Sequence, residues 1–189
     1  MIELVVFPGN PGKQYAHTRH NFARLLLGIP RELADMNWRG KFHGKYAERI
    51  DRLGPCRFLI PNTTMNETGK SVSAATIFFK IDPGDVLIVH DDIEIPFGSF
   101  SWRLGGSLGG HNGLRSVRDA LGSSDFFRLR LGIGRPERGS VRSWVLGGFT
   151  AAENALLPDI LEAVSSIFSR FLGNRAAMLT VNEIVSVYP

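Results

Sequence analysis

The sequence predicts an α/β protein: a single domain whose mixed, mostly parallel twisted sheet is flanked by helices. Apolar, β-branched runs alternate with segments that have helical spacing. A length of 189 residues fits one domain with a sizeable core. Glycine and proline punctuate the segments, and neither a repeat nor a low-complexity linker interrupts them. These observations favour one continuous domain over residues 1–189.

The first half of the chain predicts three strands and two helices. Residues 2–7 are aliphatic and β-branched, which indicates a buried strand. A short helix over residues 21–27 ends at a glycine and a proline. Strands over residues 45–50 and 56–61 are joined through "DRLGP". The apolar spacing over residues 66–79 is typical of a helix.

The second half begins with the clearest strand, "DVLIVHDD" at residues 85–92. Its continuous apolar run predicts burial on both faces of the sheet. Beyond it, the sequence predicts strands over residues 99–104 and 126–134, and helices over residues 112–121, about 151–171 and about 175–185. The glycine-rich segment "GGSLGG" precedes the helix at 112 and predicts a loop.

Composition excludes several classes of protein. Apolar residues make up 43% and charged residues 21%, which argues against disorder. Apolar stretches are too short for a membrane span, and the first residues lack a signal-peptide pattern. Cys56, the single cysteine, cannot form an internal disulfide and is interpreted as a core residue. We therefore expect a cytoplasmic protein without a membrane partner.

Positive charge is concentrated in one stretch of the chain. Residues 101–142 carry eight arginines against three acidic residues, a net charge of +5, whereas the whole chain has +4. The planar guanidinium suits phosphate groups. The stretch indicates a polyanionic partner, although solvated arginines remain an equal alternative.

Polar residues follow the predicted strands at several points. Asn10 follows the first strand, Asn66 follows "FLIP", Asp91 ends "LIVHD", and Asn112 begins the helix after the glycine loop. Ligands of open α/β sheets bind in the crevice at the carboxyl ends of the strands. Tyr15 and His20 stand five and ten residues after Asn10, a spacing that fits neither a strand nor a helix face. We expect a loop that delivers these groups to the crevice.

Two familiar chemistries are disfavoured. "GGSLG" matches the nucleophile elbow of serine hydrolases, but that fold needs an acid and then a histidine later in the chain. After Ser107 the only histidine is His111, and every carboxylate after Ser107 lies beyond His111. The triad therefore cannot be assembled in that order. The scattered histidines also match no ligand signature, so we expect no metal and no cofactor.

A histidine, a carboxylate and three asparagines remain. Neutral imidazole can take a proton from water, a carboxylate can orient the ring, and amides can donate to an oxyanion. This set suits water attacking a carboxyl ester. Each residue also has a structural interpretation: His20 begins a helix, Asn10 is a turn residue, Asp91 caps a strand end, and Asn66 and Asn112 are N-caps. In the same interpretation, Met65 is a core residue and Tyr15 packs its ring on the surface.

Five motifs in order resemble the bacterial peptidyl-tRNA hydrolase family. They are "GNPGKQYAHTRHN", "PNTTMNETGKSV", "HDDIEIPFG", "GGHNGLRS" and "FRLRLGIGRP", and "SWVLGGFTAAE" continues the likeness. The resemblance spans nearly the whole chain. It implies a metal-free enzyme that cuts the ester between a peptide and the 3′ ribose of tRNA, recycles both, and so rescues stalled translation. The expected partner is peptidyl-tRNA, and the expected state is monomeric.

The resemblance also implies roles for individual residues. His20 would be the general base, Asp91 would orient it, and Asn10 would bind near the scissile carbonyl. The remaining roles are contacts with the peptide and the tRNA acceptor end by Tyr15, Thr64, Met65, Asn66 and Asn112, and a grip on the tRNA 5′ phosphate by Arg103 and Arg130.

Several positions depart from the family pattern. Phe7 and Pro8 replace the usual Gly-Leu before Gly-Asn, so the bend that presents Asn10 differs in sequence. Thr64 stands in place of an aromatic residue and Leu108 in place of a polar one. These departures motivate a competing hypothesis, a non-catalytic RNA-binding module on the same scaffold. A general small-ester esterase is a third possibility.

Overall fold

One eight-stranded sheet organises the part of the chain that the computed structural model describes, residues 1–175 and 184–187. Its strands are β1 (Leu4–Val6), β2 (Arg39–Lys41), β3 (Gly44–Asp51), β4 (Gly54–Pro61), β5 (Val86–Asp92), β6 (Ser99–Leu104), β7 (Phe127–Gly132) and β8 (Ile184–Ser186). Its helices are α1 (Phe22–Leu25), α2 (Arg31–Ala34), α3 (Thr68–Phe79), α4 (Asn112–Leu121), α5 (Val141–Leu146) and α6 (Ala151–Gly173).

The sheet has the order β2-β3-β4-β1-β5-β7-β6-β8. The four central strands β4, β1, β5 and β7 are parallel, and the outer pairs are antiparallel. The predicted mixed α/β sheet is therefore confirmed. The predicted excess of parallel pairs is wrong, because four of the seven pairs among the described strands are antiparallel. Tight hairpins on one side, β2-β3 and β3-β4, account for two of these, since a short turn reverses the chain.

Helices cover both faces of the parallel centre. On one face, side chains such as Val5 and Leu87 pack against α1 and α6. On the other, Val6 and Ile88 pack against α3 and α4. Every residue of β5 is buried, as its apolar run predicted, because helices lie on both sides. Each fully buried aliphatic side chain contributes about 1.5–3 kcal/mol of transfer free energy.

Most predicted elements agree with the structure. The helix at residues 112–121 has the predicted bounds, and the predicted strand pair through "DRLGP" is the β3-β4 hairpin. Cys56 is buried in the core, and burial raises the pKa of its thiol to about 11. The sequence analysis missed β2, α2 and α5, which are short. Within the described ranges, every helix is too short or too polar to cross a membrane.

The predicted helix over residues 175–185 is wrong at its last two residues, 184 and 185. Residues 176–183 of it lie outside the described residues. Ile184–Ser186 form strand β8, which pairs antiparallel with β6. The unpaired edge of β6 offers backbone groups to Ile184 and Val185, and β-branched side chains favour extended backbone. Tertiary pairing therefore decides the conformation there.

The parallel centre positions the candidate site. Because β1, β4 and β5 run in the same direction, their carboxyl ends meet at one edge of the sheet. Asn10 follows β1, Met65 follows β4, and Asp91 lies at the end of β5. Residues far apart in the chain are thereby brought to one crevice.

Candidate active site

His20 and Asp91 form a close imidazole–carboxylate pair. Nδ1 of His20 lies 3.0 Å from both carboxylate oxygens of Asp91. His20 sits in a 3₁₀ turn, Arg19–Asn21, that packs across the end of β5. Nδ1 donates to the carboxylate, so the neutral ring keeps its free electron pair on Nε2. This is the tautomer that a general base needs.

The electrostatics of the pair favour an ionised carboxylate. Burial favours the uncharged form of Asp91, but the charges and hydrogen bonds of His20 and His111 hold its pKa well below the ordinary value. Burial likewise favours neutral His20, yet the charge and hydrogen bond of Asp91 outweigh it and raise the pKa of His20. The carboxylate therefore stabilises the imidazolium that forms when the ring takes a proton.

His111 is a member of the site that the sequence analysis did not assign. Its Nε2 lies 3.1 Å from Oδ1 of Asp91, and its Nδ1 accepts the backbone N–H of Leu114 at 3.3 Å. His111, rather than the predicted Asn112, is thus the N-cap of α4. Both ring nitrogens are committed, so His111 orients Asp91 and is not itself a base. Its place immediately before a predicted helix was the signal that could have identified it.

His20, Asp91 and His111 offer the donor types of a metal site, and their nearest ligand atoms lie within 4.8 Å of one another. The hydrogen bonds do not suit a metal. Since Nδ1 of His111 accepts from Leu114, its Nε2 carries the proton and has no free electron pair. Nδ1 of His20 likewise carries a proton toward the carboxylate. The three residues fit a hydrogen-bonded relay better than a coordination shell.

His90 adds a second buried imidazole that was not predicted. Its Nδ1 donates to the backbone carbonyl of Asp91 at 2.7 Å, and its Nε2 has no hydrogen-bond partner among the described residues. Burial, followed by the nearby charge of His111, lowers the pKa of His90 to about 3. The ring is therefore neutral at physiological pH and adds no charge beside Asp91.

Asn10 is held with its amide oxygen already occupied. Oδ1 of Asn10 accepts the backbone N–H of Met65 at 2.8 Å. The backbone of Asn10 exchanges two hydrogen bonds with the Asn21 side chain, at 2.8 and 2.9 Å. The carboxamide therefore presents its NH₂ group as the donor that remains for a ligand.

A cavity of about 680 Å³ opens beside these groups. Its lining includes eight of the ten predicted site residues: Asn10, Tyr15, His20, Thr64, Met65, Asn66, Asp91 and Asn112. Met65 is buried, whereas Asn66 and Asn112 are exposed at the rim. The hydroxyl of Thr64 donates to Glu67 at 3.0 Å, so it can meet a ligand only as an acceptor. The structure thus brings together most of the predicted set.

One wall of the cavity was not predicted. Val141, Arg142, Val145 and Leu146 of α5 line it. The exposed guanidinium of Arg142 supplies a positive charge at this wall. α5 has only six residues, too few to show a clear helical period, so its sequence signal is weak. The glycine loop also lines the cavity, and its Gly109 and Gly110 have φ of 56° and 75°, a conformation that suits glycine.

Arg103 and Arg130 do not line the cavity. Nε of Arg130 lies 2.8 Å from Oδ2 of Asp92, and its side chain is 11% exposed. Arg103 pairs with Arg128 across β6 and β7, two residues along β7 from Arg130. Arg128 is buried and donates to the backbone carbonyls of Gly105 and Ser107. The arginines therefore form a separate group beside the glycine loop.

Comparison with known proteins identifies the family of this chain. A family model described as peptidyl-tRNA hydrolase matches residues 4–186. The peptidyl-tRNA hydrolase of Treponema pallidum (strain Nichols) is 43% identical over 186 residues, which cover 95% of this chain and 92% of the relative. That of Sorangium cellulosum (strain So ce56) is 44% identical over 170 residues, which cover 87% and 76%.

A solved structure supports the same conclusion. The crystal structure of peptidyl-tRNA hydrolase from Acinetobacter baumannii has a TM-score of 0.80 and 34% sequence identity, and the match covers 92% of this chain and 90% of that one. The mixed sheet, the ordered motifs and these matches agree. This chain belongs to the peptidyl-tRNA hydrolase family.

Proposed function

We propose that this protein hydrolyses the ester bond between the peptide and the 3′ ribose of peptidyl-tRNA. The observation that carries the proposal is the contact of His20 Nδ1 with both oxygens of Asp91, at 3.0 Å. It leaves Nε2 of a cavity-lining imidazole as a proton acceptor. The proposal also rests on membership of the family, whose relatives are named for this activity.

The reaction follows from the geometry of the pair. Nε2 of His20 takes a proton from water while the water oxygen attacks the ester carbonyl carbon. The NH₂ group of Asn10 donates to the carbonyl oxygen as it gains negative charge. The tetrahedral intermediate then breaks the bond to the ribose 3′ oxygen, and the imidazolium returns the proton to that oxygen. Asp91 stabilises the imidazolium throughout, and no metal is required.

The cavity walls supply binding groups for both parts of the substrate. Met65 offers an apolar surface, and Asn66 can hydrogen-bond the peptide backbone. Asn112 and Tyr15 would contact the terminal nucleotide of the acceptor end. Thr64 contributes through its backbone or through its hydroxyl oxygen as an acceptor, since the hydroxyl proton is bonded to Glu67.

Arg103 and Arg130 are proposed to bind the 5′ phosphate of the tRNA. Arg130 is held by Asp92, which fixes its guanidinium on the sheet surface. A guanidinium fixed in this way loses little conformational entropy when it binds phosphate. We expect the protein to act as a monomeric single domain over residues 1–189. We expect it in the cytoplasm, where translation produces its substrate.

A deacylation assay tests the proposal. Purified protein is incubated with excess N-acetyl-aminoacyl-tRNA in the presence of EDTA, and released tRNA is measured. Multiple turnovers support the hydrolase. Stoichiometric binding without release would instead support the RNA-binding module. Equal cleavage of a small amino-acid ester, with no effect of removing the tRNA 5′ phosphate, would support a general esterase.

A further inference from the structure

The guanidinium of Arg24 donates hydrogen bonds to three backbone carbonyls at the turn that carries Asn10. Nη1 donates to the carbonyl of Asn10 at 3.1 Å, and Nη2 donates to those of Gly9 at 2.6 Å and Pro61 at 2.5 Å. Gly9 and Asn10 follow β1, whereas Pro61 ends β4. One side chain from α1 therefore ties the turn after β1 to the end of the neighbouring strand.

The charge of Arg24 is compensated by these carbonyls alone. Within residues 1–175 and 184–187, no carboxylate lies within ion-pair distance of it, and its Nε has no hydrogen-bond partner. Burial lowers the pKa of Arg24 to about 10, so the group remains charged at neutral pH. A partly buried charge is stable only where dipoles surround it, and the three carbonyls provide those dipoles.

Arg24 and Asn21 pack closely against the turn. A Cβ at Gly9 would lie 2.4 Å from Nε of Arg24 and 2.9 Å from Oδ1 of Asn21, so a larger residue there would displace these two side chains. The carbonyl of Asn10 accepts from both Nη1 of Arg24 and Nδ2 of Asn21. The two side chains hold the turn together.

We infer that Arg24 is a positioning residue that holds the turn so that the amide of Asn10 faces the scissile ester. This inference rests on the proposed function. The turn differs from the family pattern at Phe7 and Pro8, and Arg24 supplies a fixed orientation for it by binding backbone groups on both sides. When the turn is fixed, Oδ1 of Asn10 accepts a hydrogen bond from the N–H of Met65. The NH₂ group of Asn10 then remains for the substrate.

A double-mutant cycle tests this role. Arg24→Met keeps the length of the side chain and removes the donors. We expect kcat to fall about 10- to 100-fold, because a displacement of about 1 Å at the reacting centre costs that much, while KM changes by less than about threefold. Arg24→Met combined with Asn10→Ala should be no slower than Asn10→Ala alone, since both remove the same interaction. Independent losses that multiply would overturn the inference.

Two controls separate positioning from stability. Arg49→Met removes a half-buried arginine on β3, next to Asp51 at the opposite end of the hairpin, and should leave kcat unchanged. Should Arg24→Met fail to fold, Arg24→Lys keeps the charge and should show a smaller loss of kcat with the same non-additivity.

Hydrogen exchange gives a readout that does not depend on activity. In Arg24→Met, the backbone amides of Asn10 and Met65 should exchange faster relative to that of Val89 in β5. Unchanged exchange at both amides would overturn the positioning role. Faster exchange in a protein whose wild type deacylates no tRNA would contradict the proposed hydrolase function and leave the role of Arg24 in the turn intact.

Discussion

Two adjacent carboxylates at the end of β5 belong to two different charged regions. Successive side chains of a strand point to opposite faces, so Asp91 and Asp92 diverge. Asp91 lies 3.0 Å from His20 and 3.1 Å from His111, and these three residues form what we call the acid–imidazole site. One negative charge there faces two rings that donate hydrogen bonds to it. The hydrogen bonds that the carboxylate of Asp91 needs therefore come from side chains of the protein itself.

Asp92 faces the arginine cluster, which we define as Arg103, Arg128 and Arg130. Asp92 binds Arg130 at 2.8 Å, and within residues 1–175 and 184–187 neither Arg103 nor Arg128 forms an ion pair with a carboxylate. Burial, followed by the charges of Arg103 and Arg130, lowers the pKa of Arg128 to about 10. The cluster keeps a positive excess that an anion can neutralise.

The comparison separates chemistry from binding. The carboxylate of the acid–imidazole site is hydrogen-bonded by two rings, and the site lines the cavity, so changes in it should alter turnover. The arginine cluster lies outside that lining and has surplus charge, so changes in it should alter affinity and its dependence on salt. Three predictions test this separation, in order of expected effect.

The largest effect is expected for His20→Ala. Removing the proposed base should lower kcat about 10²- to 10⁴-fold and leave the Kd for tRNA nearly unchanged. Steady-state deacylation and a filter-binding assay measure the two quantities. His17→Ala, which changes an exposed histidine three residues earlier, is the matched control and should retain wild-type turnover. An unchanged rate in His20→Ala would remove this imidazole from the mechanism.

Asp91→Asn should lower kcat about 10²- to 10³-fold, because the amide no longer fixes the tautomer of His20 or stabilises its cation. The pH profile gives a second readout. His20 acts when neutral, so kcat/KM rises as pH rises through its pKa. Asp91 raises that pKa, so the rising limb of the variant should move to lower pH.

The control for this profile is Asp82→Asn, which changes an exposed aspartate in the connection before β5. Its pH profile should coincide with that of the wild type. If the rising limb of kcat/KM against pH does not shift in Asp91→Asn, a group other than His20 controls the titration.

Arg103→Gln should have the smallest effect. We expect roughly a tenfold rise in the Kd for tRNA, as for the loss of one charged hydrogen bond, with little change in kcat. The slope of log K against log salt should become shallower by about one, because one fewer counterion is released. Arg52→Gln, at the exposed turn of the β3-β4 hairpin, is the control. A loss of kcat with unchanged salt dependence would place Arg103 in the chemistry instead.

Local sequence was sufficient for the elements whose signals are local. The apolar run of β5 predicted a strand buried on both faces, and the 3.6-residue spacing of α4 predicted a helix. Both signals depend only on residues that are close together in the chain. Asn10, His20 and Asp91 were predicted as members of the candidate site because motifs place the right residue types directly after strands or in a turn. Parallel strands then bring their ends together.

Only the tertiary structure decided which side chains bind each other. His111 binds Asp91 across 20 residues, Arg24 reaches Pro61 across 37, and Arg130 binds Asp92 across 38. A hydrogen-bond partner is chosen by proximity in space, and no local pattern records it. The same reason explains β8, whose extended backbone depends on the open edge of β6. The sequence determined the chemical groups of the site, and the fold determined their partners and orientation.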